Sequence, residues 1–276
     1  MLDTLTFGFL GGGNMASALI GGLVARGVPA RAICVIDPSD DARQRLERTL
    51  GVRTQAAPDA RFGASHVIVL AVKPQQFRDA VAPLVPHLAA GQGNLIISVA
   101  AGIRLQDMGR WLNTSRLVRA MPNTPALAGM GMTGLAAAPG LSKADRAIAT
   151  AVAQAVGQCV WVDDDNQIDA VTALSGSGPA YVFYFIEAME RAAKEMGLTA
   201  EQGRQLGVET FRGAAALAAE SSEPVSLLRE RVTSKGGTTY AALTSMDADK
   251  MQDAFVRAMH AAAARGREMG AEFGKD

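Results

Sequence analysis

The sequence predicts an α/β protein in two parts: a mostly parallel, doubly wound sheet followed by an all-helical part. In the first part, apolar runs alternate with helical patterns, which is the order of parallel strands joined by crossover helices. From residue 167 onward we find only helical periodicity. We therefore predict one domain over residues 1–164 and an all-helical domain over residues 165–276. The apolar runs lie at residues 5–10, 31–37, 66–72 and 94–99.

The composition excludes several classes of protein. Hydrophobic residues make up 49% of the 276 residues, and the 27 basic residues equal the 27 acidic ones, so neither a weak core nor a nucleic-acid partner is expected. No uninterrupted apolar run reaches the roughly 18 residues that predict a membrane span. Cys34 and Cys159 lie in apolar runs and are interpreted as reduced thiols without metal-ligand spacing. The chain opens on a strand pattern without a leader, so we expect a cytoplasmic protein that holds no metal.

A glycine turn follows the first apolar run. It reads Gly11-Gly12-Gly13-Asn14-Met15-Ala16 and passes directly into a helical pattern. Gly11 allows a tight turn, Gly13 lets a pyrophosphate approach the backbone, and Ala16 stands where the motif has its third glycine. The helix N-terminus then presents free N–H groups to the anion. A bare glycine turn is weak, but a strand before it and a helix after it predict a Rossmann-type dinucleotide site.

An acid ends the second apolar run. Asp37 lies about 20 residues beyond Ala16, where a carboxylate commonly accepts the adenosine ribose hydroxyls. The alternative is that Asp37 caps the helix predicted at residues 40–50. A carboxylate at the ribose repels the 2′-phosphate of NADPH and so favours NADH, whereas Arg43 and Arg45 nearby leave NADPH open. The predicted cofactor is therefore NADPH or NADH.

The third and fourth apolar runs end at the sheet edge where the cofactor is expected. They end in Ala71-Val72-Lys73-Pro74 and in Val99-Ala100-Ala101. Lys73 either faces the ribose or nicotinamide or is a solvated loop lysine, and spacing alone does not decide. The later stretch Leu117-Val-Arg-Ala-Met121-Pro122-Asn123-Thr124-Pro125 brackets two polar residues with prolines, which predicts a rigid loop that is either a site or an ordinary turn.

The end of the first domain is predicted as a helix at residues 142–156 and a strand at 159–162. An acidic triplet at residues 163–165 follows, and we interpret it as a solvated, helix-capping turn rather than a metal site.

The helical part carries two candidate loops. Ser175-Gly176-Ser177-Gly178-Pro179 leads into a helix at residues 180–196 that is apolar on nearly every face as far as Met189. A modest helical core cannot bury such a helix, so we predict that it lies between subunits. A second loop, rich in hydroxyls and glycine, runs from Val232 to Thr239 and opens a helix at residues 240–246.

Taken together, these motifs resemble the pyrroline-5-carboxylate reductase family, which catalyses the last step of proline synthesis. The resemblance covers essentially the whole chain. Three motifs in this order are highly specific: Met-Pro-Asn-Thr-Pro at 121–125, Ser-Gly-Ser-Gly-Pro-Ala-Tyr at 175–181 and Thr-Ser-Lys-Gly-Gly-Thr-Thr at 233–239. Lys235 is a departure, because the family usually has proline there. It spares the glycines and hydroxyls of the loop.

The resemblance implies roles for particular residues. Ser234, Gly237 and Thr238 would hold the substrate carboxylate, and the Thr239 hydroxyl would lie at the ring nitrogen as the catalytic group. Residues 175–178 would line the same pocket. The resemblance also implies that the helical part pairs with a second subunit, so that each site draws on two chains, and that the dimers form a ring. The implied cofactor contacts are Gly11, Gly12, Gly13, Asn14, Met15, Asp37, Ala71, Val72, Lys73, Pro74, Val99, Ala100, Ala101, Met121, Pro122 and Asn123.

The residues also fit this chemistry when they are considered without the resemblance. Reduction of a cyclic imine needs a hydride donor, an anchor for one carboxylate and a donor near the ring nitrogen, and no metal. One alternative is a β-hydroxyacid dehydrogenase, which needs a Lys or His base at the start of the long helix, where Pro179-Ala-Tyr-Val-Phe-Tyr-Phe offers none. Another is a non-catalytic NAD(P)-sensing module, which would not need the hydroxyl loop.

Overall fold

The computed structural model describes residues 2–88 and 93–275, which form an eight-stranded sheet. The strand order is β3-β2-β1-β4-β5-β6-β7-β8. Only the β6–β7 pair is antiparallel among these strands, so the predicted mostly parallel, doubly wound sheet is confirmed. The strands are β1 (Phe7–Leu10), β2 (Ile33–Ile36), β3 (Arg53–Gln55), β4 (Val67–Leu70), β5 (Leu95–Ser98), β6 (Leu117–Met121), β7 (Gly131–Ala137) and β8 (Gly157–Trp161).

Helices cover both faces of this sheet because successive strand residues point to opposite sides. Phe7 and Phe9 of β1 belong to one buried cluster, and Leu10 belongs to the other. The central strands are buried along their whole length, which explains why they are continuous apolar runs in the sequence. The sheet's helices are α1 (Asn14–Ala25), α2 (Asp40–Leu50), α3 (Ala60–Gly63), α4 (Phe77–Val81), α5 (Leu105–Leu112), α6 (Lys143–Gln154) and α7 (Gln167–Val171).

Packing divides the chain into two compact units. The first contains residues 1–177 and 262–276, and the second contains residues 178–261. Packing thus assigns residues 165–177 and the last fifteen residues to the unit of the sheet, which differs from the division that we predicted at residue 164. The remaining helices are α8 (Gly178–Glu195), α9 (Ala200–Glu220), α10 (Val225–Arg231), α11 (Thr238–Ala248) and α12 (Met251–Phe273).

The second unit is all-helical, as predicted. Its helix α8 packs closely on α9, since a Cβ on Gly203 would lie 2.7 Å from the Ala193 Cβ. Helix α8 also exposes large apolar side chains, with Phe183 60% and Tyr184 70% accessible. Exposed aromatic side chains on a helix of this kind mark a surface for a partner. No helix that the structure describes is long and apolar enough to span a membrane.

The structure differs from the sequence-based predictions in three places. The sequence pattern after Pro74 predicts one helix over residues 75–88, but the structure has a 3₁₀ turn, α4 and a second 3₁₀ turn, Val85–His87, there. Prolines interrupt the helical hydrogen bonds of this stretch. The stretch predicted only as a rigid loop at 117–125 begins with β6, and its partner β7 was not predicted at all. Strand β3 was also missed, since it has three residues and all are polar.

Candidate active site

A cavity of about 420 Å³ opens at the carboxyl ends of β1, β2 and β4. This edge of a doubly wound sheet is where dinucleotides bind. Seven of the predicted cofactor residues line it, and the others lie outside its lining. The seven are Gly11, Gly12, Gly13, Asp37, Ala71, Val72 and Lys73.

Two glycines of the turn have different physical reasons to be glycine. Gly11 has φ +98°, and a Cβ there would lie 2.6 Å from the Ala71 carbonyl oxygen, so the fold itself requires glycine. Gly13 has φ −72°, and a Cβ there would lie more than 4 Å from every described atom outside its two chain neighbours. A methyl group would therefore fit at Gly13 in the protein alone. Its glycine therefore keeps space open for something that must touch the backbone, and a pyrophosphate fits this description.

The N-terminus of α1 is left open for an anion. Gly13 is its N-cap residue and provides no side-chain hydrogen bond to the first turn. The first helical hydrogen bond runs from the Ser17 N–H to the Gly13 carbonyl, so the N–H groups before Ser17 have no intrahelical acceptor. Helix α2 shows the contrast, because the Ser39 hydroxyl accepts from the Ala42 N–H.

Asp37 is held beside this turn by backbone groups. Its Oδ2 accepts from the Gly12 N–H at 2.8 Å and its Oδ1 accepts from the Ser39 N–H at 2.9 Å. The N-cap of α2 is Ser39. Ser39, and not Asp37, therefore has the helix-capping role that the sequence left open for Asp37. Each carboxylate oxygen keeps a further lone pair for a ribose hydroxyl.

Part of the cavity wall was missed by sequence reasoning. Ala56, Ala57 and Pro58 follow β3 and line the cavity beside Asp37, and Gln76 lines it from the turn after β4. The three residues after β3 were missed because β3 itself was missed. Pro58 was the available signal, since a proline just after a strand fixes a turn at the same sheet edge.

A second group of predicted residues is brought together at the end of β6. The Asn123 side chain donates to the Ser175 carbonyl at 3.1 Å and accepts from the Met132 N–H at 2.9 Å. A Cβ on Gly176 would lie 2.6 Å from the Met121 Cε. Predicted cofactor residues and predicted substrate residues of the first unit are therefore neighbours. The Ser175 hydroxyl is not free, because it donates to the Val171 carbonyl.

A buried ion pair holds this second group in place. Arg119 on β6 is 1% exposed, and its guanidinium contacts Asp165 at 3.0 Å and Asp169 at 3.4 Å. Asp165 also accepts from the Leu105 N–H at the start of α5. Asp165 thus accepts a hydrogen bond at a helix start, but it is also a partner for a buried cation, so the fully solvated turn that we predicted is wrong for this member of the triplet.

The hydroxyl loop lies in the second unit and forms a tight turn before α11. The Gly237 N–H donates to the Ser234 carbonyl at 3.0 Å, and Gly236 between them has φ +77°. A Cβ on Gly237 would lie 2.7 Å from the Ser234 Oγ, so this glycine lets the loop close on itself. Gly178, also of this unit, has open space around its missing Cβ.

The loop hydroxyls are not used to build the helix. Gly237 is the N-cap of α11 and gives no side-chain hydrogen bond. Within the described residues, the hydroxyls of Ser234, Thr238 and Thr239 have no hydrogen-bond partner, whereas Thr233 donates to the Arg229 carbonyl. Helix α11 therefore begins with free N–H groups and free hydroxyls, which together can bind a carboxylate.

The fold and the glycine turn define a class of protein. A Rossmann-type sheet with an open glycine turn before α1 and an acid after β2 belongs to a dinucleotide-dependent oxidoreductase. Two family profiles match the chain. Residues 6–102 match "NADP oxidoreductase coenzyme F420-dependent", and residues 165–269 match "Pyrroline-5-carboxylate reductase dimerisation".

Individual proteins narrow this class to one family. The chain is 40% identical to the pyrroline-5-carboxylate reductase of Pseudomonas aeruginosa, over 99% of this chain and 100% of that protein. The solved reductase of Coxiella burnetii has a TM-score of 0.90 at 39% identity, covering 97% and 99% of the two chains. That of Plasmodium falciparum, solved with NADP bound, has a TM-score of 0.85 at 25% identity, covering 98% and 100%. The chain belongs to the pyrroline-5-carboxylate reductase family.

Proposed function

We propose that this chain transfers a hydride from NADH or NADPH to the cyclic imine 1-pyrroline-5-carboxylate and so forms L-proline. Because the chain belongs to this family, one structural observation is sufficient to support the proposal. Helices α1 and α11 each begin on a glycine without a side-chain cap, which leaves one backbone site for the pyrophosphate and one for the substrate carboxylate.

The first unit would hold the dinucleotide. The open N-terminus of α1 would bind the pyrophosphate, and Asp37 would accept the ribose hydroxyls. When bound, the reduced nicotinamide supplies the hydride. The bond from Asn123 to the Ser175 carbonyl would fix the end of β6 near this ring. Further cofactor contacts are proposed from Asn14, Met15, Ala71, Val72, Lys73, Pro74, Val99, Ala100, Ala101, Met121 and Pro122.

The second unit would hold the imine by its carboxylate. Ser234 and Thr238 offer free hydroxyls, and Gly237 and the first turn of α11 offer N–H groups. The carboxylate keeps its charge throughout the reaction, so these groups would contribute binding rather than transition-state stabilisation. Residues 175–178 would line the pocket around the ring.

The Thr239 hydroxyl would orient the ring nitrogen. As hydride adds to the imine carbon, the electron pair of the C=N bond moves to nitrogen, which takes a proton from water. A neutral hydroxyl hydrogen-bonded to that nitrogen can hold the carbon in line without itself being a strong acid. No Lys or His occupies the start of α8, which is where a β-hydroxyacid dehydrogenase would need its base, so that alternative lacks its catalytic group.

We propose that the protein works as a dimer and that dimers form a ring. The match to a dimerisation family over residues 165–269 and the exposed Phe183 and Tyr184 of α8 support the dimer. The ring rests on the family resemblance alone. The cytoplasm is the proposed location, in keeping with the free thiols of Cys34 and Cys159.

A coupled assay tests the proposed function. Purified protein should oxidise reduced nicotinamide only when 1-pyrroline-5-carboxylate is added, and L-proline should accumulate in equal amount. Tight nucleotide binding without turnover would instead support a sensing module. Light scattering at micromolar concentration should report a dimer or larger, and Phe183→Glu should release monomers that circular dichroism shows to be folded.

A further inference from the structure

We infer that the adenosine end of the cavity selects NADH over NADPH, with Asp37 as the specificity-determining residue. This inference rests on the proposed function, since it concerns the same dinucleotide site. The carboxylate of Asp37 is fixed by the Gly12 and Ser39 N–H groups and lines the cavity. It therefore stands where the ribose hydroxyls arrive and cannot turn away without breaking both bonds.

The hydrogen-bond donors that could bind a 2′-phosphate at the start of α2 already donate to other groups of the protein. The Ser39 N–H at the entry to α2 donates to Asp37, and the Ser39 hydroxyl caps the helix. The first turn of α2 carries Asp40 and Asp41, which add negative charge to the same end. A phosphate placed here would meet three carboxylates and a helix start whose donors are partly used.

The nearby arginines also serve the protein rather than the cavity. The Arg43 guanidinium donates to the Asp37 carbonyl at 2.6 Å and pairs with Asp40. The Arg45 guanidinium donates to the Gly12 carbonyl at 2.9 Å. Neither arginine lines the cavity, where the charged residues are Asp37 and Lys73. Arg43 and Arg45, which left NADPH open in the sequence, therefore give no support to a preference for NADPH.

This arrangement favours NADH over NADPH because the two nucleotides differ at the 2′ position of the adenosine ribose. The ribose of NADH donates two hydroxyls to one carboxylate, whereas NADPH replaces the 2′-hydroxyl donor by an anion. NADPH thus loses one hydrogen bond and gains repulsion. We expect NADH to bind at least about tenfold tighter.

Equilibrium binding of NADH and of NADPH, followed by nicotinamide fluorescence on the full chain, tests this inference apart from catalysis. Asp37→Ser should shrink the preference by about tenfold or more, through weaker NADH and stronger NADPH binding. Asp41→Asn is the matched control, because it removes the same charge from an exposed position on the same helix start and should change the ratio much less than Asp37→Ser does. Asp37→Asn, which keeps the shape of the side chain, should shift the ratio in the same direction if the serine variant does not fold.

The outcomes separate this inference from the proposed function. Equal binding of both nucleotides, or tighter NADPH, by the unmodified protein would overturn the preference and leave the reductase intact. An equal shift in Asp41→Asn would assign the preference to diffuse charge and overturn the role of Asp37. Failure to bind either nucleotide would remove the cofactor site itself, and the proposed function with it.

Discussion

Helices α1 and α11 both begin on an uncapped glycine, yet the two glycines have opposite reasons for being there. Gly13 is surrounded by empty space, so the protein does not need glycine at that position. Gly237 faces its own loop, where a Cβ would meet the Ser234 Oγ at 2.7 Å. The comparison teaches how the two proposed sites would bind their ligands. The proposed pyrophosphate site at α1 would bind through a bare backbone, and the proposed carboxylate site at α11 would also use hydroxyls that a glycine-rich turn presents.

The largest expected effect comes from filling the empty space at Gly13. Gly13→Ala should lower the affinity for the reduced cofactor by about 100-fold or more, because the new methyl group occupies the position of the pyrophosphate. The melting temperature should not fall, since among the described residues no atom beyond the two chain neighbours lies within 4 Å of that methyl group.

Gly21→Ala provides the matched control for this prediction. It lies in the same helix, where its Cβ would make an ordinary 3.8 Å contact with the Leu50 side chain. Cofactor affinity should be unchanged, with stability equal or slightly higher because alanine favours helix. Unaltered binding in Gly13→Ala would show that the nucleotide does not use this turn.

The side chains of α11 should give the next largest effect. Thr239→Ala should lower kcat/KM by roughly 10- to 100-fold while leaving thermal stability unchanged, because its hydroxyl has no partner among the described residues. Thr244→Ala is the control, since it removes the same atoms from the same helix but from a hydroxyl that donates to the Tyr240 carbonyl. Thr244→Ala should leave the kinetics alone.

Ser234→Ala divides binding from chemistry within the same loop. Because the substrate carboxylate keeps its charge, the loss should appear mainly in KM, with kcat nearly constant. A change confined to the melting temperature in both Thr239→Ala and Ser234→Ala would mean that the loop is structural and that the substrate binds elsewhere.

The sequence pattern alone was sufficient to predict a ligand site at the start of α1, but it was not sufficient to assign residue roles at the start of α11. The glycine turn could be identified because buried parallel strands are continuous apolar runs, so β1 and the start of α1 were both visible. The composition of residues 232–239 marked a candidate loop, but the roles of its individual residues came only from the family resemblance. The sequence also failed for β7, whose glycines weaken any strand pattern, and for Arg119, because no pattern indicates that a strand arginine is buried.

Helix α6 provides a contrast, because side chains of the protein itself cap its N-terminus. Ser142 caps it by accepting from the Asp145 N–H, and Arg116 donates two hydrogen bonds to the Asp145 carboxylate, at 3.0 and 2.6 Å. This guanidinium holds the pKa of the Asp145 carboxyl below its ordinary value. Asp145→Asn should therefore lower the free energy of unfolding by about 1–3 kcal/mol at neutral pH without changing kcat or cofactor affinity.

The pH dependence of stability checks the sign of this effect. A carboxyl whose pKa is lower in the folded state contributes stability above its unfolded value, about 3.9, and loses that contribution as the pH falls toward the folded value. Urea unfolding of the unmodified protein should thus weaken below about pH 4 more steeply than that of Asp145→Asn. Parallel curves would show that the Asp145–Arg116 pair does not stabilise the fold.

The smallest effect tests how far the turn before α11 is organised in advance. Lys235 occupies the second position of the turn closed by the Gly237 N–H and the Ser234 carbonyl, and the third position, Gly236, has φ +77°. Turns with positive φ at the third position favour proline at the second, which is the residue usual in the family. Lys235→Pro should restrict the unfolded chain and the free loop, raising stability by about 0.4–1 kcal/mol and lowering KM for the imine about twofold to fivefold. Cofactor affinity should not change, because the proposed nucleotide site at α1 uses a different turn. A rise in KM would mean that lysine supplies a contact of its own to the substrate, and the loop would then act through charge as well as through its backbone and hydroxyls.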